Sequence, residues 1–243
     1  MSLAQTAVGI SPDGTSNCTS PPEPLGQGNP LLTRHARQLI NSAAYAASVG
    51  TPFTAHVTIH FRLAEGFTPE KWPAFQTDLL DKMSRRLRRE GIPVAFAWVR
   101  ENGPVKGAHL HLAIHLPHQH WGAFKRYLLH AGRFTAFDAG GEAIKITGGR
   151  FGMYVPSMRA GACRYILKSM AQTKCEALGI RHKPTLPVKV KRCGISASIG
   201  PKARKAAGWR ELKSLPELHE HLHPAKATSP AGDDLVEDFR DAA

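Results

Sequence analysis

The chain has 243 residues, enough for one domain with tails and a real hydrophobic core. Lys and Arg number 32 against 19 Asp and Glu, a formal net charge of +13, which points to a polyanionic partner, nucleic acid before a membrane. No stretch is apolar enough to span a bilayer, and the four cysteines lack the C-x-x-C spacing of a zinc knuckle. They suggest no disulfide framework either, so a reducing, cytoplasmic setting is expected. The opening "MSLAQTAVGISPDG" has no basic start and no apolar block, so no signal peptide is expected.

Residues 1–30 are rich in Pro, Gly, Ser, Thr and Asn and are expected to be disordered. From Leu31 to Ser48, Leu32, Ala36, Leu39, Ile40, Ala43 and Ala47 recur at helical spacing, with Thr33 as the candidate cap. "PFTAHVTIHFRL" (52–63) alternates, placing Phe53, Ala55, Val57, Ile59 and Phe61 on one face of a strand. The clearest helix is 68–91, with Thr68 as cap, Pro69 at its first position and Gly91 at its end. Trp72, Phe75, Leu79, Met83 and Leu87 form its apolar stripe.

"IPVAFAWVRE" (92–101) and "AHLHLAIHL" (108–116) read as two strands of a hairpin, joined through "NGPVKG". A short helix follows around 119–131, then strands within 142–155, then a helix over 160–174. The order predicts an α+β domain over 31–175. A central antiparallel β-sheet carries flanking helices, ferredoxin-like in plan. Residues 176–225 read as a basic C-terminal extension, and 226–243 as a disordered acidic tail.

The hairpin holds the first chemical signal. Alternate residues of a strand share a face. His109, His111 and His115 therefore point one way, and Leu110, Leu112, Ile114 and Leu116 point into the core. Side chains at i and i+2 stand on Cα atoms about 6.6 Å apart, close enough for two imidazoles to share one cation at bonds of about 2.0–2.1 Å. If the hairpin closes between Glu101 and His109, that carboxylate is a cross-strand neighbour of His109. Glu101, His109 and His111 would then surround a divalent ion. Such ligands suit Mn²⁺, Mg²⁺ or Zn²⁺, and their type alone does not choose. His115 reads as an outer contact or a surface residue.

A second signal lies on the helix 160–174. Cys163, Ile166, Leu167 and Met170 make the inward stripe. Tyr165 and Lys168 fall on the other side, three residues apart. A phenol can attack a phosphodiester to form a covalent phosphotyrosine. A nearby lysine can lower the phenol's pKa and hold the phosphate or the leaving group.

Together these residues resemble the HUH endonucleases, the rolling-circle replication initiators and their relatives. His109-Leu110-His111 matches the His-hydrophobic-His strand, "YILK" (Tyr165 to Lys168) the tyrosine helix, and Glu101 in "WVRENG" the third ligand. "HVTIHF" (56–61) resembles the first motif of that family. The resemblance spans roughly 50–175. It implies an HUH endonuclease fold with the histidine strand central. It also implies Mn²⁺ or Mg²⁺ as cofactor and cleavage of single-stranded or hairpin DNA at an origin-like site. The protein would stay attached to the 5′ phosphate through Tyr165 and leave a free 3′ hydroxyl. The motif helix has no second tyrosine, so no two-tyrosine relay is expected. No Gly-x-x-x-x-Gly-Lys-[Ser/Thr] loop occurs, so unwinding would fall to a separate host helicase. Relaxases of the superfamily place the tyrosine first; Tyr45 is early in the chain but has no basic neighbour.

Arg85, Arg86, Arg88 and Arg89 of "RRLRRE", with Arg164, are the candidate DNA contacts. Three alternatives stand beside a replication nickase. One is a transposase or relaxase of the same superfamily. Another is a DNA-binding protein of this fold without cleavage. The third is a two-histidine, one-carboxylate oxygenase, whose usual scaffold is all-β.

Overall fold

Two opposite residue patterns run through the same strands, and they decide how the sheet is covered. The computed structural model describes residues 31–104, 106–138, 141–148 and 164–222. Its strands are β1 (Ala55–His60), β2 (Phe96–Gly103), β3 (Gly107–Ile114), β4 (Phe137–Asp138), β5 (Gly141–Glu142), β6 (Ile144–Gly148) and β7 (Cys193–Ile195). Five of them form one sheet in the order β6-β1-β3-β2-β7, with every neighbouring pair antiparallel. β4 and β5 pair separately as a small hairpin.

On one face, Val57 and Ile59 of β1, Trp98 of β2 and Leu110, Leu112 and Ile114 of β3 make a continuous apolar layer. Helices α2 (Trp72–Arg89) and α3 (Trp121–Ala131) cover it through Trp72, Leu79, Met83, Leu87, Phe124 and Leu128. Burying each large side chain of this kind contributes about 1.5–3 kcal/mol. α2 follows a short 3-10 turn at Pro69–Lys71 and ends where Gly91 takes a φ of +69°, a conformation that favours glycine. Gly194 of β7 permits a close approach: a Cβ there would lie 2.5 Å from the Trp98 ring.

The other face is divided. Ala97 and Val99 of β2, Ala113 of β3 and Cys193 of β7 lie under α1 (Thr33–Ser48) in a second core, with Leu39, Ile40 and Ala43. The residues in register beside them on β1 and β3 are polar, and the candidate site begins there. The expected cap of α1 is corrected. Thr33 is the first helical residue and Leu32 holds the cap position, its N–H donating to His35 Nδ1 at 3.1 Å.

The helix expected over 160–174 is interrupted. Residues 164–167 are helical (α4), and a second helix, α5 (Gln172–Ala177), starts after Ala171, whose ψ is 141°. Between them Met170 pairs with Leu31 as an isolated β-bridge. Tertiary pairing therefore overrides a run of good helix formers. Ile166, Leu167 and Met170 are buried as expected. Cys163 lies outside the described residues, as do the 149–155 part of the expected strand region, the 1–30 segment and the acidic tail.

The folded unit does not stop at 175. β7 extends the sheet beyond β2, and α6 (Pro201–Ala206) and α7 (Leu215–Leu222) pack against α1. Ile199 and Leu218 belong to the same core as Leu39 and Ile40. Arg204 is fully buried and donates to Ser42 Oγ at 2.5 Å, Ile199 O at 2.9 Å and Gln38 Oε1 at 3.0 Å, and it pairs with Glu211 at 2.7 Å. The stretch read as an extension thus supplies one sheet edge and part of a core. Its few apolar residues are spaced too irregularly for periodicity to reveal this.

Candidate functional site

β2 and β3 form the hairpin that carries three of the polar groups. Their register pairs Glu101 directly with His109, and β1 pairs with β3 so that His60 faces His109 and Thr58 faces His111. Strand alternation puts all five on the face opposite Leu110 and Leu112. Glu101, His109 and His111 are buried, and their ligand atoms all lie within 4.8 Å of one another. This group can hold a metal ion. Glu101 Oε2 is 3.4 Å from His109 Nε2 and 3.1 Å from His111 Nε2. Two ligands bound to one tetrahedral ion at the usual lengths stand about 3.3 Å apart.

The outer ring nitrogens are engaged elsewhere. His109 Nδ1 lies 2.8 Å from the Gly107 carbonyl and His111 Nδ1 3.3 Å from Thr58 Oγ1. With an ion in place, a proton on Nδ1 in each ring would satisfy these contacts and turn both Nε2 lone pairs toward it. Glu101 Oε1 is buried without a hydrogen-bond partner, a second sign that the donor set fits a cation.

Lys168 enters from beyond α4. Its Nζ is 3.3 Å from Glu101 Oε2 and 3.3 Å from His111 Nε2, and it sits 3.4 Å from the centroid of the Tyr165 ring. The Tyr165 ring also meets the edges of His56 and His111, at centroid distances of 4.9 and 4.8 Å, while the residue stays 39% exposed. Lys168 is held by the C-terminal segment: its carbonyl accepts from the Lys183 N–H at 2.8 Å. Arg192 donates to Ser169 Oγ at 2.9 Å and to Arg100 O at 3.0 Å.

The charge states follow from this packing. Burial pushes Glu101 up, but His111 and His109, through charge and hydrogen bonding, and Lys168 outweigh it and hold the carboxyl well below its usual range. Burial, helped by the Lys168 charge, holds His111 well below the usual imidazole value. Burial lowers Lys168, with Glu101 acting against it. The Tyr165 hydroxyl is pushed up, first by burial and then by Glu101. The expectation that Lys168 lowers the phenol is therefore corrected: its charge is spent on Glu101 and His111.

The structure brings Glu101, His109, His111, Tyr165 and Lys168 together. His115 lies past the end of β3 and bonds the Pro52 carbonyl through Nδ1 at 2.8 Å. Arg164, half-buried, precedes Tyr165 on α4. The four arginines of α2 do not join the site, because α2 covers the opposite face of the sheet. Arg85, Arg88 and Arg89 are exposed there, and Arg86 pairs with Glu90 and stacks over Tyr127.

The sequence reading missed His56 and His60 as members of the site. His56 stacks on His111 at 5.2 Å, and His60 lies 5.5 Å from His109. Their signal was visible, since both alternate against Val57 and Ile59 in "HVTIHF". Burial lowers His56 to about 3 and His60 to about 4, so both rings are neutral. Neither Arg192 nor Lys183 carried any sequence signal.

No family model matches the chain, and no curated protein or solved structure is detectably similar to it. No helix among the described residues is long and apolar enough to cross a membrane.

Proposed function

We propose that the protein is a metal-dependent, single-stranded DNA endonuclease of the HUH type that initiates rolling-circle replication. The observation that carries this reading is the convergence of Tyr165 and Lys168 on Glu101, His109 and His111. The tyrosine and lysine come from α4 and the turn after it, and the ligand set from the β2–β3 hairpin, onto one sheet face. Further support comes from the strands and helices β1-α2-β2-β3-α3-β6. Their β-α-β-β-α-β succession matches a ferredoxin-like plan with the histidine strand inside the sheet.

Glu101, His109 and His111 would hold a divalent cation, Mn²⁺ or Mg²⁺, that polarises the scissile phosphodiester and offsets its developing charge. Tyr165 gives up its phenolic proton to solvent, and its Oη forms a bond to phosphorus. The P–O3′ bond breaks, and the 3′ oxygen takes a proton to end as a hydroxyl. The 5′ phosphate stays on Tyr165. Lys168, over the ring face and within 3.3 Å of Glu101 and His111, would add positive charge beside the metal-ligand set and position the ring. The other described tyrosines lack such a setting. Tyr45 is buried against Trp209 with a centroid distance of 5.5 Å, and the Tyr127 hydroxyl donates to Lys82 O at 3.0 Å. That burial argues against a relaxase-like use of Tyr45.

The test is a denaturing gel of end-labelled, single-stranded origin-like DNA incubated with the protein and Mn²⁺. A covalent, protease-sensitive adduct is expected. Binding without any adduct would instead favour a non-cleaving DNA-binding protein.

A further inference from the structure

Three lysines stand around the mouth of the site from three different elements. Lys145 of β6 is in register with Thr58, which is in register with His111. Cross-strand partners share a face, so Lys145 stands two strands from the ligand row, about 10 Å at the usual strand spacing. Lys183 is fixed beside the motif turn by its N–H bond to the Lys168 carbonyl, 2.8 Å long. Lys106 lies in the β2–β3 turn. A Cβ built on Gly103 would be 3.4 Å from His109 Cε1 and 3.8 Å from Lys106 N, so Lys106 and His109 border one small space. Lys145 and Lys183 are exposed and Lys106 is half-buried.

We propose that Lys106, Lys145 and Lys183 form a phosphate-binding rim that guides the backbone of a single-stranded polynucleotide past Tyr165. The inference rests on the nuclease reading above and names its substrate path. These cations act on one another and on the nucleophile. Lys106 is lowered first by burial and then by Lys183, Lys145, Arg62 and Lys168, and Lys183 and Lys145 both pull Tyr165 downward. Like charges gathered within a Debye length repel. A polyanion laid across them turns that repulsion into binding, with release of its counterions. The rim therefore replaces the α2 arginines, which belong to the other face.

The test measures binding of a short fluorescent oligothymidylate to full-length protein carrying Tyr165→Phe, as a function of salt. Each phosphate contact in a single strand contributes about 0.7 to the slope of log K against log salt. Replacing Lys106, Lys145 and Lys183 with Gln is expected to flatten that slope by about 2. Replacing Arg85, Arg88 and Arg89 with Gln is expected to leave it unchanged. Thermal melting of both triple variants checks that they fold. An unchanged slope in the lysine variant, or its loss in the arginine variant, overturns the rim. If wild-type protein still forms the Tyr165 adduct in that case, the nuclease reading stands without it. If the lysine slope falls but no adduct ever forms, the rim stands and the nuclease reading fails. Absence of any oligothymidylate binding by the Tyr165→Phe protein overturns the rim outright.

Discussion

The Lys168 ammonium lies 3.4 Å from the centre of the Tyr165 ring, over its face and not at its hydroxyl. A cation in that position is attracted by the ring quadrupole, and here it also bonds Glu101 and His111. One charge thus ties the segment of Tyr165 to the β2–β3 hairpin that carries Glu101 and His111. Removing it with Lys168→Ala is expected to slow adduct formation by about a hundredfold. It is not expected to abolish the reaction, because lysine forms no bond to phosphorus. Single-turnover cleavage kinetics give the number.

Tyr165→Phe removes one oxygen and keeps the ring that packs on His56 and His111. Melting is expected to change by no more than about 0.5 kcal/mol in stability, and oligonucleotide binding to persist. The covalent adduct should vanish. Mass spectrometry of trapped wild-type adduct that located the nucleotide on another tyrosine would remove Tyr165 from its role.

Glu101→Gln preserves shape while deleting the charge that both imidazoles and Lys168 face. Wild-type protein at a Mn²⁺ concentration a hundred times its Kd is expected to gain about 2.7 kcal/mol of stability. At the same concentration the variant is expected to gain almost nothing. His109→Ala with His111→Ala should behave alike. Thermal shift with and without Mn²⁺ reads both, and an equal shift in the variants would dismiss the ligand set.

Acid should loosen the polar half of the sheet. His56 and His60 are lowered to about 3 and about 4 by burial, against about 6.5 for an unfolded histidine. Above about pH 6.5 both rings are neutral in either state, and their share of stability is complete. As pH falls, the unfolded chain takes up protons first, so stability declines from about pH 6.5 through 4 and on toward 3. Urea unfolding in EDTA at stepped pH is expected to show this fall, and His60→Gln to make it shallower. A flat profile for wild-type protein would contradict the buried, neutral state of these rings.

Arg204 tests how far the fold extends. Arg204→Met leaves Ser42 Oγ, the Ile199 carbonyl and Glu211 without their shared donor. A loss of about 3 kcal/mol is expected from equilibrium unfolding. A chain ending at residue 175 should fail to fold, since it exposes the β2 edge and the core face of α1.

The parts legible in the sequence were those with a short period. The alternation of Val57 with Ile59 and of Leu110 with Leu112 exposed the strands, and the Trp72–Leu87 stripe exposed α2. Glu101, His109 and His111 were legible because a hairpin brings near neighbours together by local geometry. The break after Lys168 was not, because it depends on the Leu31–Met170 pairing across the chain. Nor was the side of the sheet that α2 covers, which puts its arginines on the face away from Glu101, His109 and His111. β7 is three residues long and includes a glycine, too little for any pattern.

The ordering of ligands along the chain also has a meaning for synthesis. Glu101, His109 and His111 leave the ribosome within one hairpin, whereas Tyr165, Lys168 and the Arg192 clamp follow much later. Domains are translated from the N-terminus at about 5–20 residues per second. A nascent chain therefore carries Glu101, His109 and His111 for seconds before Tyr165 and Lys168 are made. The sheet that seats those side chains is complete only once β7, made later still, pairs with β2.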